Sequence, residues 1–232
     1  MTGPTSATPA PLPSPYVRNW LWWCLHVVVA PLVAIWFRFR ARGLERLPKE
    51  GALLLINHQS YLDPVLAAVA LTRPVSYLAR DDLFRIPLIG RIMRNTYALP
   101  IRREAAGSDS IRELVRRLQH GFYVGIFPEG TRSTDGRLGP LKPGFQSICR
   151  RAAVPIVPVG IAGAIRAMPK GSWWIRPVRI CVVYGEPIPP EALEKLLERG
   201  REAELMRTVA SAMQQALNEA EARLQGERVK SD

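Results

Sequence analysis

The chain contains 232 residues, of which 47% are hydrophobic, and it carries a formal net charge of +12. This length and composition exclude a disordered chain and allow one domain with a substantial core. The positive charge predicts an anionic partner, which leaves nucleic acid, a membrane surface and an acidic substrate as candidates. The three cysteines, Cys24, Cys149 and Cys181, are far apart and lack metal-ligand spacing. They indicate reduced thiols facing the cytoplasm and no metal site.

The N-terminal region divides into two predicted parts. Residues 1–15 are small, polar and proline-rich, which predicts a disordered tail. Residues 20–37 carry no formal charge and have tryptophans near both ends. The run is slightly shorter than the roughly 20 apolar residues that a spanning helix needs, and Pro31 interrupts it. We expect a membrane-anchoring helical segment over residues 16–41, either spanning or bent back at Pro31. The alternative is a buried core helix. The arginines that follow it place the remainder of the chain on the cytoplasmic face of the membrane.

From residue 42 to residue 232, apolar runs alternate with helical patterns, which predicts an α/β fold with a single mixed sheet flanked by helices. A capping box at Ser110 predicts a helix start, and Gly121 predicts its end. Near the C-terminus, apolar residues at four-residue spacing predict a helix packed on the domain. These residues are Leu205, Val209, Met213 and Leu217. The predicted strands are Ala52–Ile56, Val75–Leu78, Tyr97–Ile101, Phe122–Phe127, Ile156–Val159 and Val178–Tyr184.

A histidine and an aspartate follow the first of these strands, in the segment NHQSYLD of residues 57–63. On a straight strand His58 and Asp63 would lie roughly 16 Å apart, and on an ideal helix they would point roughly 140° away from each other. A strand end before His58 and a helix start at Asp63-Pro64 would let them meet across a short loop. The pair could then act as a base and its orienter. Alternatively, Asp63 only caps its helix and His58 is a surface residue.

A second polar segment, FPEGTRS of residues 127–133, also follows a predicted strand. It places Glu129, Gly130 and Arg132 within four residues. Gly130 allows the backbone to approach a ligand closely. Arg132 has the planar fork that binds a phosphate or carboxylate.

A basic stretch follows, since residues 136–185 contain eight lysines and arginines but no Asp or Glu. Trp173 and Trp174 lie within it. Paired tryptophans among cations suit the headgroup zone of a bilayer, although they could also stack on nucleobases. The apolar N-terminal segment favours the membrane.

Together, NHQSYLD and FPEGTRS resemble the paired signatures of the glycerolipid acyltransferases, specifically the 1-acylglycerol-3-phosphate (lysophosphatidic acid) acyltransferases. Two weaker segments are also similar to this family. One runs from Leu83 to Gly90 and continues through Leu99 to an arginine at Arg103, and the other is residues 154–159. The resemblance extends from about Gly51 to Pro187. One departure is that relatives often have an acid before the arginine, where this chain has Arg102, which could compete with Arg103 for its role.

The resemblance implies transfer of a fatty acyl group from acyl-CoA or an acyl carrier protein to the free hydroxyl of lysophosphatidic acid. The product would be phosphatidic acid, in phospholipid biosynthesis. His58 would be the general base and Asp63 its orienter. Arg103 and Arg132 would bind the phosphate, while Glu129 and Gly130 shape the site and Glu129 touches the glycerol hydroxyls. An ion pair between Glu129 and Arg132 is the alternative. Thr131 is predicted in the same substrate-binding segment, and we expect both Thr131 and Ser133 to be loop hydrogen-bonders.

No cofactor is expected, because the thioester co-substrate is already activated and no Gly-x-Ser-x-Gly elbow supplies a serine nucleophile. The predicted partners are membrane lipids, a lysophospholipid and the acyl donor, and not nucleic acid. Two alternatives remain open. They are an acyltransferase acting on another lysophospholipid or lipid, and a catalytically silent lipid-binding membrane protein. A nucleic-acid binder is suggested only by charge, and the apolar N-terminus and the lack of an RNA- or DNA-binding motif argue against it.

Overall fold

In the computed structural model, which describes residues 11–17, 19–101 and 108–229, seven strands form one mixed sheet. Their order across the sheet is β1-β7-β6-β2-β5-β3-β4. The six predicted strands are confirmed with adjusted ends, and β1 was not predicted. The strands are β1 (Arg40–Arg42), β2 (Ala52–Ile56), β3 (Val75–Arg80), β4 (Leu99–Ile101), β5 (Tyr123–Ile126), β6 (Ile156–Ala162) and β7 (Cys181–Tyr184).

Strand direction determines which loops share an edge of this sheet. β6, β2, β5, β3 and β4 are parallel to one another. β7 is antiparallel to β6, and β1 is parallel to β7. The carboxyl ends of the five parallel strands therefore lie at one edge, together with the amino ends of β1 and β7. We call this the carboxyl edge. Parallel sheets commonly place their ligands there.

Helices cover both faces of the sheet, as predicted. The predicted helix start at Ser110 is wrong, because the helix already begins at Ser108. It ends before Gly121, whose φ of +94° confirms a glycine stop. The helices are α1 (Trp20–Cys24), α2 (Ala30–Trp36), α3 (Asp63–Leu66), α4 (Pro87–Asn95), α5 (Ser108–Gln119), α6 (Gly144–Ala152), α7 (Ala164–Ala167), α8 (Pro190–Leu196) and α9 (Glu202–Val229).

The core has two sides, which meet at the central strand β2. Leu53 and Leu55 pack into one cluster with residues of α5, α6 and α9. Leu54 and Ile56 pack into the other, with Trp22 of the N-terminal segment. Alternate side chains of a strand point to opposite faces, so a strand buried on both sides has an uninterrupted apolar sequence. Each fully buried side chain of this kind contributes about 1.5–3 kcal/mol.

The long C-terminal helix α9 lies against β6 and β7. The predicted apolar stripe is confirmed, because all four of its residues are buried, the most exposed at 1%. Gly160 of β6 allows the close approach. A Cβ at that position would lie only 2.3 Å from the carbonyl carbon of Ala216 in α9.

The N-terminal segment is helical from Trp20 to Trp36 and contains one π-helical turn, Leu25–Val29. This turn precedes Pro31. The Ala30 N–H donates to the Leu25 carbonyl, five residues back, and such widening is one way a helix accommodates a proline. Among the described residues, no helix has both the length and the apolar character to cross a bilayer.

One side of this N-terminal helix packs on the domain, and the other side is exposed. The alternative prediction, a buried core helix, therefore holds for only one side of the segment. Buried residues are Trp22, Val33 and Phe37, whereas exposed ones include Trp20, Trp23, Val27, Leu32, Ile35 and Trp36. After three more residues β1 begins at Arg40, inside the predicted helical segment 16–41, and extends one residue beyond it. Of the predicted disordered tail, residues 1–15, the first ten lie outside the described residues.

Candidate active site

The first signature, residues 57–63, leaves the end of β2 at the carboxyl edge. Its first residue, Asn57, is buried and extends the strand pairing through its side chain. The Asn57 Nδ2 group donates to the Ile161 carbonyl at 3.0 Å, and the Ile161 N–H donates to Asn57 Oδ1 at 2.7 Å. This pair of bonds fixes the start of the loop to β6. No role was predicted for Asn57, since its partner lies 104 residues away along the chain.

The structure brings His58 and Asp63 together as expected. His58 Nδ1 lies 2.7 Å from Asp63 Oδ2. The Asp63 side chain is fully buried, whereas the His58 side chain is 20% exposed. Asp63 is the first residue of α3, so the strand end and the helix start place the two groups face to face across the loop. With Nδ1–H donated to the carboxylate, Nε2 carries the free lone pair of the neutral ring.

Asp63 closes the loop and does not cap its helix, so the capping alternative is wrong. Its Oδ2 accepts the N–H groups of Gln59 at 2.6 Å and Ser60 at 2.7 Å, both of which precede it. Helix α3 has no side-chain cap. Burial raises the pKa of the Asp63 carboxyl, and the bonds from His58, Ser60 and Gln59 oppose that rise. The carboxylate is thus held in one orientation, which in turn orients the imidazole.

The second signature, residues 127–133, follows β5, which pairs with β2 in the sheet. Phe127 stacks on the His58 ring, with 4.2 Å between the ring centroids and 28° between the planes. The Ser133 N–H donates to the His58 carbonyl at 2.7 Å. Gln59 Nε2 donates to the Gly136 carbonyl at 2.7 Å. The two signatures therefore form one hydrogen-bonded unit.

Glu129 holds that unit together from inside. Its Oε1 accepts the His58 N–H at 2.8 Å, and its Oε2 accepts the Gly139 N–H at 2.8 Å. The residue is 4% exposed. Burial raises the pKa of the Glu129 carboxyl, and its two backbone bonds oppose the rise. Each oxygen thus accepts one backbone donor, and the expected contact with glycerol hydroxyls stays a prediction. The alternative ion pair with Arg132 is absent from the described residues.

Gly130 and Arg132 lie on the outer side of the loop. Gly130 has φ +65°, and a Cβ there would meet Nζ of Lys142 at 2.7 Å. The side chain that approaches Gly130 closely is therefore Lys142, for which no role was predicted. The Arg132 guanidinium carbon lies 3.5 Å from the centroid of the Tyr61 ring. Its Nη1 is buried and has no hydrogen-bond partner among the described residues.

The remaining predicted residues have different outcomes. Thr131 is exposed. Ser133 is the loop hydrogen-bonder that was expected, since its hydroxyl donates to Asp135 at 2.9 Å and accepts the Gly136 N–H at 2.9 Å. Arg102 and Arg103 lie outside the described residues. Two described cations, Arg132 over Tyr61 and Lys142 beside Gly130, thus adjoin the second signature and form its cationic side.

A histidine oriented by a buried carboxylate at the carboxyl edge of such a sheet is typical of α/β enzymes that use a general base. Comparison with known proteins specifies the family. The sequence model described as Acyltransferase matches residues 38–162, which is more than half of the chain. The chain belongs to this acyltransferase family.

Individual relatives carry consistent names. The chloroplastic 1-acyl-sn-glycerol-3-phosphate acyltransferase BAT2 of Brassica napus is 36% identical over 135 residues, which cover 56% of this chain and 39% of that protein. The 1-acyl-sn-glycerol-3-phosphate acyltransferase of Bacillus subtilis is 29% identical over 177 residues, covering 75% and 82%. This chain therefore spans about two fifths of the plant relative's length and most of the bacterial one's.

A solved structure is similar in fold. It is the crystal structure of the 1-acyl-sn-glycerophosphate (LPA) acyltransferase PlsC from Thermotoga maritima. The TM-score is 0.70 and the sequence identity is 26%, and the match covers 83% of this chain and 77% of that one. A mixed sheet flanked by helices is thus common to both proteins.

Proposed function

We propose that this protein transfers a fatty acyl group from an acyl thioester to the free hydroxyl of lysophosphatidic acid and so makes phosphatidic acid. The observation that carries the proposal is the 2.7 Å contact between His58 Nδ1 and the buried Asp63 carboxylate, beside an arginine whose Nη1 has no described partner. The names of the relatives support lysophosphatidic acid as the acceptor. Acyl-CoA and acyl carrier protein both remain candidate donors.

The proposed chemistry is a direct transfer without a covalent enzyme intermediate. Nε2 of His58 takes the proton of the acceptor hydroxyl as its oxygen attacks the thioester carbonyl carbon. The tetrahedral intermediate then collapses, the C–S bond breaks, and the imidazolium returns the proton to the departing thiolate. General-base catalysis of this kind contributes typically 10²–10⁴-fold in rate. Asp63 stabilises the imidazolium while it exists.

The acceptor phosphate is proposed to bind on the cationic side of the site. Arg132 has an unsatisfied guanidinium nitrogen, and a guanidinium fork matches the geometry of a phosphate. Lys142, which packs over Gly130, provides a second positive charge close by. Arg103 remains a proposed third contact. A phosphate held here would place the free hydroxyl near His58, so binding would also contribute to positioning.

The N-terminal segment is proposed to anchor the enzyme in a membrane, with the catalytic domain on the cytoplasmic face. The supporting observation is the exposed apolar side of the helix, where Trp20, Trp23, Ile35 and Trp36 are all more than half exposed. Contiguous exposed apolar surface is a property of membrane and protein contact sites, and tryptophans are enriched where a helix meets the headgroups.

An acyl-transfer assay on the purified protein tests the function. The two donors would each be combined with lysophosphatidic acid, lysophosphatidylcholine and monoacylglycerol. We expect thiol release and phosphatidic acid only with the first acceptor. Preference for another lysolipid would support the alternative acceptor. Equal rates with monoacylglycerol would contradict the phosphate site. No transfer with any combination would identify a catalytically silent lipid-binding protein.

A further inference from the structure

An exposed loop with two adjacent tryptophans lies between α7 and β7. We call residues 168–177 the tryptophan loop. Trp173 is 82% exposed and Trp174 is 60% exposed. Their rings meet edge to face, with 5.6 Å between the centroids. Ile175 follows and is 40% exposed. The loop thus presents a contiguous apolar tip that the proposed reaction does not use.

Backbone bonds hold the loop in a defined shape. The Arg176 N–H donates to the Ala167 carbonyl at 2.9 Å, which joins the two ends of the loop. The Ser172 N–H donates to the Pro169 carbonyl at 3.0 Å. The Ser172 hydroxyl accepts the Trp174 N–H at 3.2 Å. A turn closed by these bonds therefore carries the two exposed indoles.

The tryptophan loop lies at the carboxyl edge of the sheet, beside both the active site and the N-terminal helix. The Ser60 hydroxyl, in the first signature, donates to the Met168 carbonyl at 3.0 Å. The loop continues to Ile180, whose N–H donates to the Phe37 carbonyl at 3.0 Å, directly after α2. One end of the loop is thus bonded to the catalytic unit, and its continuation is bonded to the end of the N-terminal helix.

The charge around the tip has one sign. Lys170 and Arg176 flank the tryptophans and are both exposed. Residues 137–184 contain no Asp or Glu. Neither cation has an ion-pair partner among the described residues. An apolar tip ringed by unpaired cations is complementary to a surface that is anionic outside and apolar beneath, as an anionic bilayer is.

We propose that the tryptophan loop is a second membrane contact, which inserts Trp173 and Trp174 into the headgroup zone of an anionic bilayer. It acts together with the N-terminal helix, and the two contacts orient the mouth of the active site toward the lipid. Only the expected effect on acyl-transfer kinetics rests on the proposed function, whereas the membrane contact itself does not. An acidic acyl carrier protein is the competing occupant. The bilayer is favoured because two exposed indoles suit the headgroup zone, whereas an acidic protein surface would need the cations alone.

The test is vesicle co-sedimentation of the full-length protein and three double variants. One vesicle set is an equal mixture of phosphatidylglycerol and phosphatidylcholine, and the other is phosphatidylcholine alone. W173A/W174A removes the indoles, and K170Q/R176Q removes the cations. The matched control is K195Q/R199Q, which removes two exposed cations near α8. That helix follows Ile188, which pairs with the first residue of β6 and so lies at the opposite edge of the sheet.

Each cation near an anionic surface contributes roughly a fivefold factor to partitioning. We therefore expect K170Q/R176Q to weaken binding to the mixed vesicles about 30-fold and to leave binding to phosphatidylcholine nearly unchanged. W173A/W174A should weaken binding to both vesicle sets by at least about tenfold. The control should bind like the wild type. Wild-type partitioning by both loop variants, with unaltered circular dichroism, would overturn the proposal.

Two kinetic arms separate this inference from its competitors. With vesicle-embedded lysophosphatidic acid, the loop variants should lose about tenfold in kcat/KM, while a short-chain acceptor below its micellar concentration should react as in the wild type. If vesicle binding is unchanged but KM for an acyl carrier protein donor rises, the loop binds the carrier and the proposal fails. If even the wild type transfers no acyl group, the proposed function fails, and the vesicle result still decides the membrane contact.

Discussion

Glu129 offers a sharp test of how the two signatures work together. Its carboxylate is 4% exposed and accepts one backbone N–H from His58 and one from Gly139, each at 2.8 Å. If this is its role, Glu129 positions the catalytic histidine and does not touch the substrate. Its replacement should therefore affect stability and kcat more than the KM for the acceptor.

The expected size follows from the bonds that are lost. E129A leaves two N–H groups without their acceptor, and each unsatisfied buried donor costs about 1–3 kcal/mol. We expect the free energy of unfolding to fall by about 2–6 kcal/mol, a large share of the total for a single domain. E129Q retains one acceptor oxygen, so its loss should be about half as large. Movement of His58 by about 1 Å would lower kcat roughly 100-fold.

Urea unfolding and steady-state kinetics on E129Q, E129A and a control measure these quantities. The control is E221Q, which removes an exposed carboxylate on α9, and it should match the wild type in both assays. The acceptor KM should change less than about threefold in E129Q. A large rise in acceptor KM with unchanged stability and kcat would refute the positioning role and support the predicted contact with glycerol hydroxyls.

Three further substitutions test phosphate binding by Arg132, its stacking on Tyr61, and the close packing of α9 against Gly160. R132A should raise the acceptor KM at least about tenfold and the donor KM little; equal effects would count against phosphate binding. Y61L removes the ring on which the Arg132 guanidinium stacks, so the acceptor KM should rise several-fold, whereas Y61F should behave like the wild type. G160A places a Cβ 2.3 Å from the Ala216 backbone and should lower the unfolding free energy by about 1–3 kcal/mol. G144A, where nothing lies within 4 Å, is its control, and similar losses in both would refute the close-approach argument.

The central strands were predictable because of how they are buried. β2, β5 and β6 are covered on both faces, so their sequences are continuous apolar runs between turn residues. β1 could not be recognised in this way. Its sequence is Arg-Ala-Arg, it lies at the edge of the sheet, and both arginines are exposed. Only the pairing with β7 makes it a strand, and that partner lies about 140 residues away.

In the candidate site too, local contacts could be predicted from the sequence and long-range contacts could not. The meeting of His58 and Asp63 depends on a local turn, so the strand end and the helix start were sufficient to predict it. The bonding of Glu129 depends on backbone N–H groups, which no side-chain pattern reveals. The substrate contact expected of Glu129 came only from the family resemblance, and it stays a prediction. The stacking of Tyr61 on Arg132 joins two signatures that are distant in sequence, and it became visible only in three dimensions.

Single-turnover kinetics of two histidine variants test the general-base role of His58. H58A removes the ring held by Asp63, and H120A removes an exposed histidine at a helix end. With acyl thioester and lysophosphatidic acid, H58A should slow transfer by at least about 100-fold while the protein stays folded and vesicle-bound, and H120A should match the wild type. Transfer by folded H58A within about threefold of the wild-type rate would contradict a general-base role for His58.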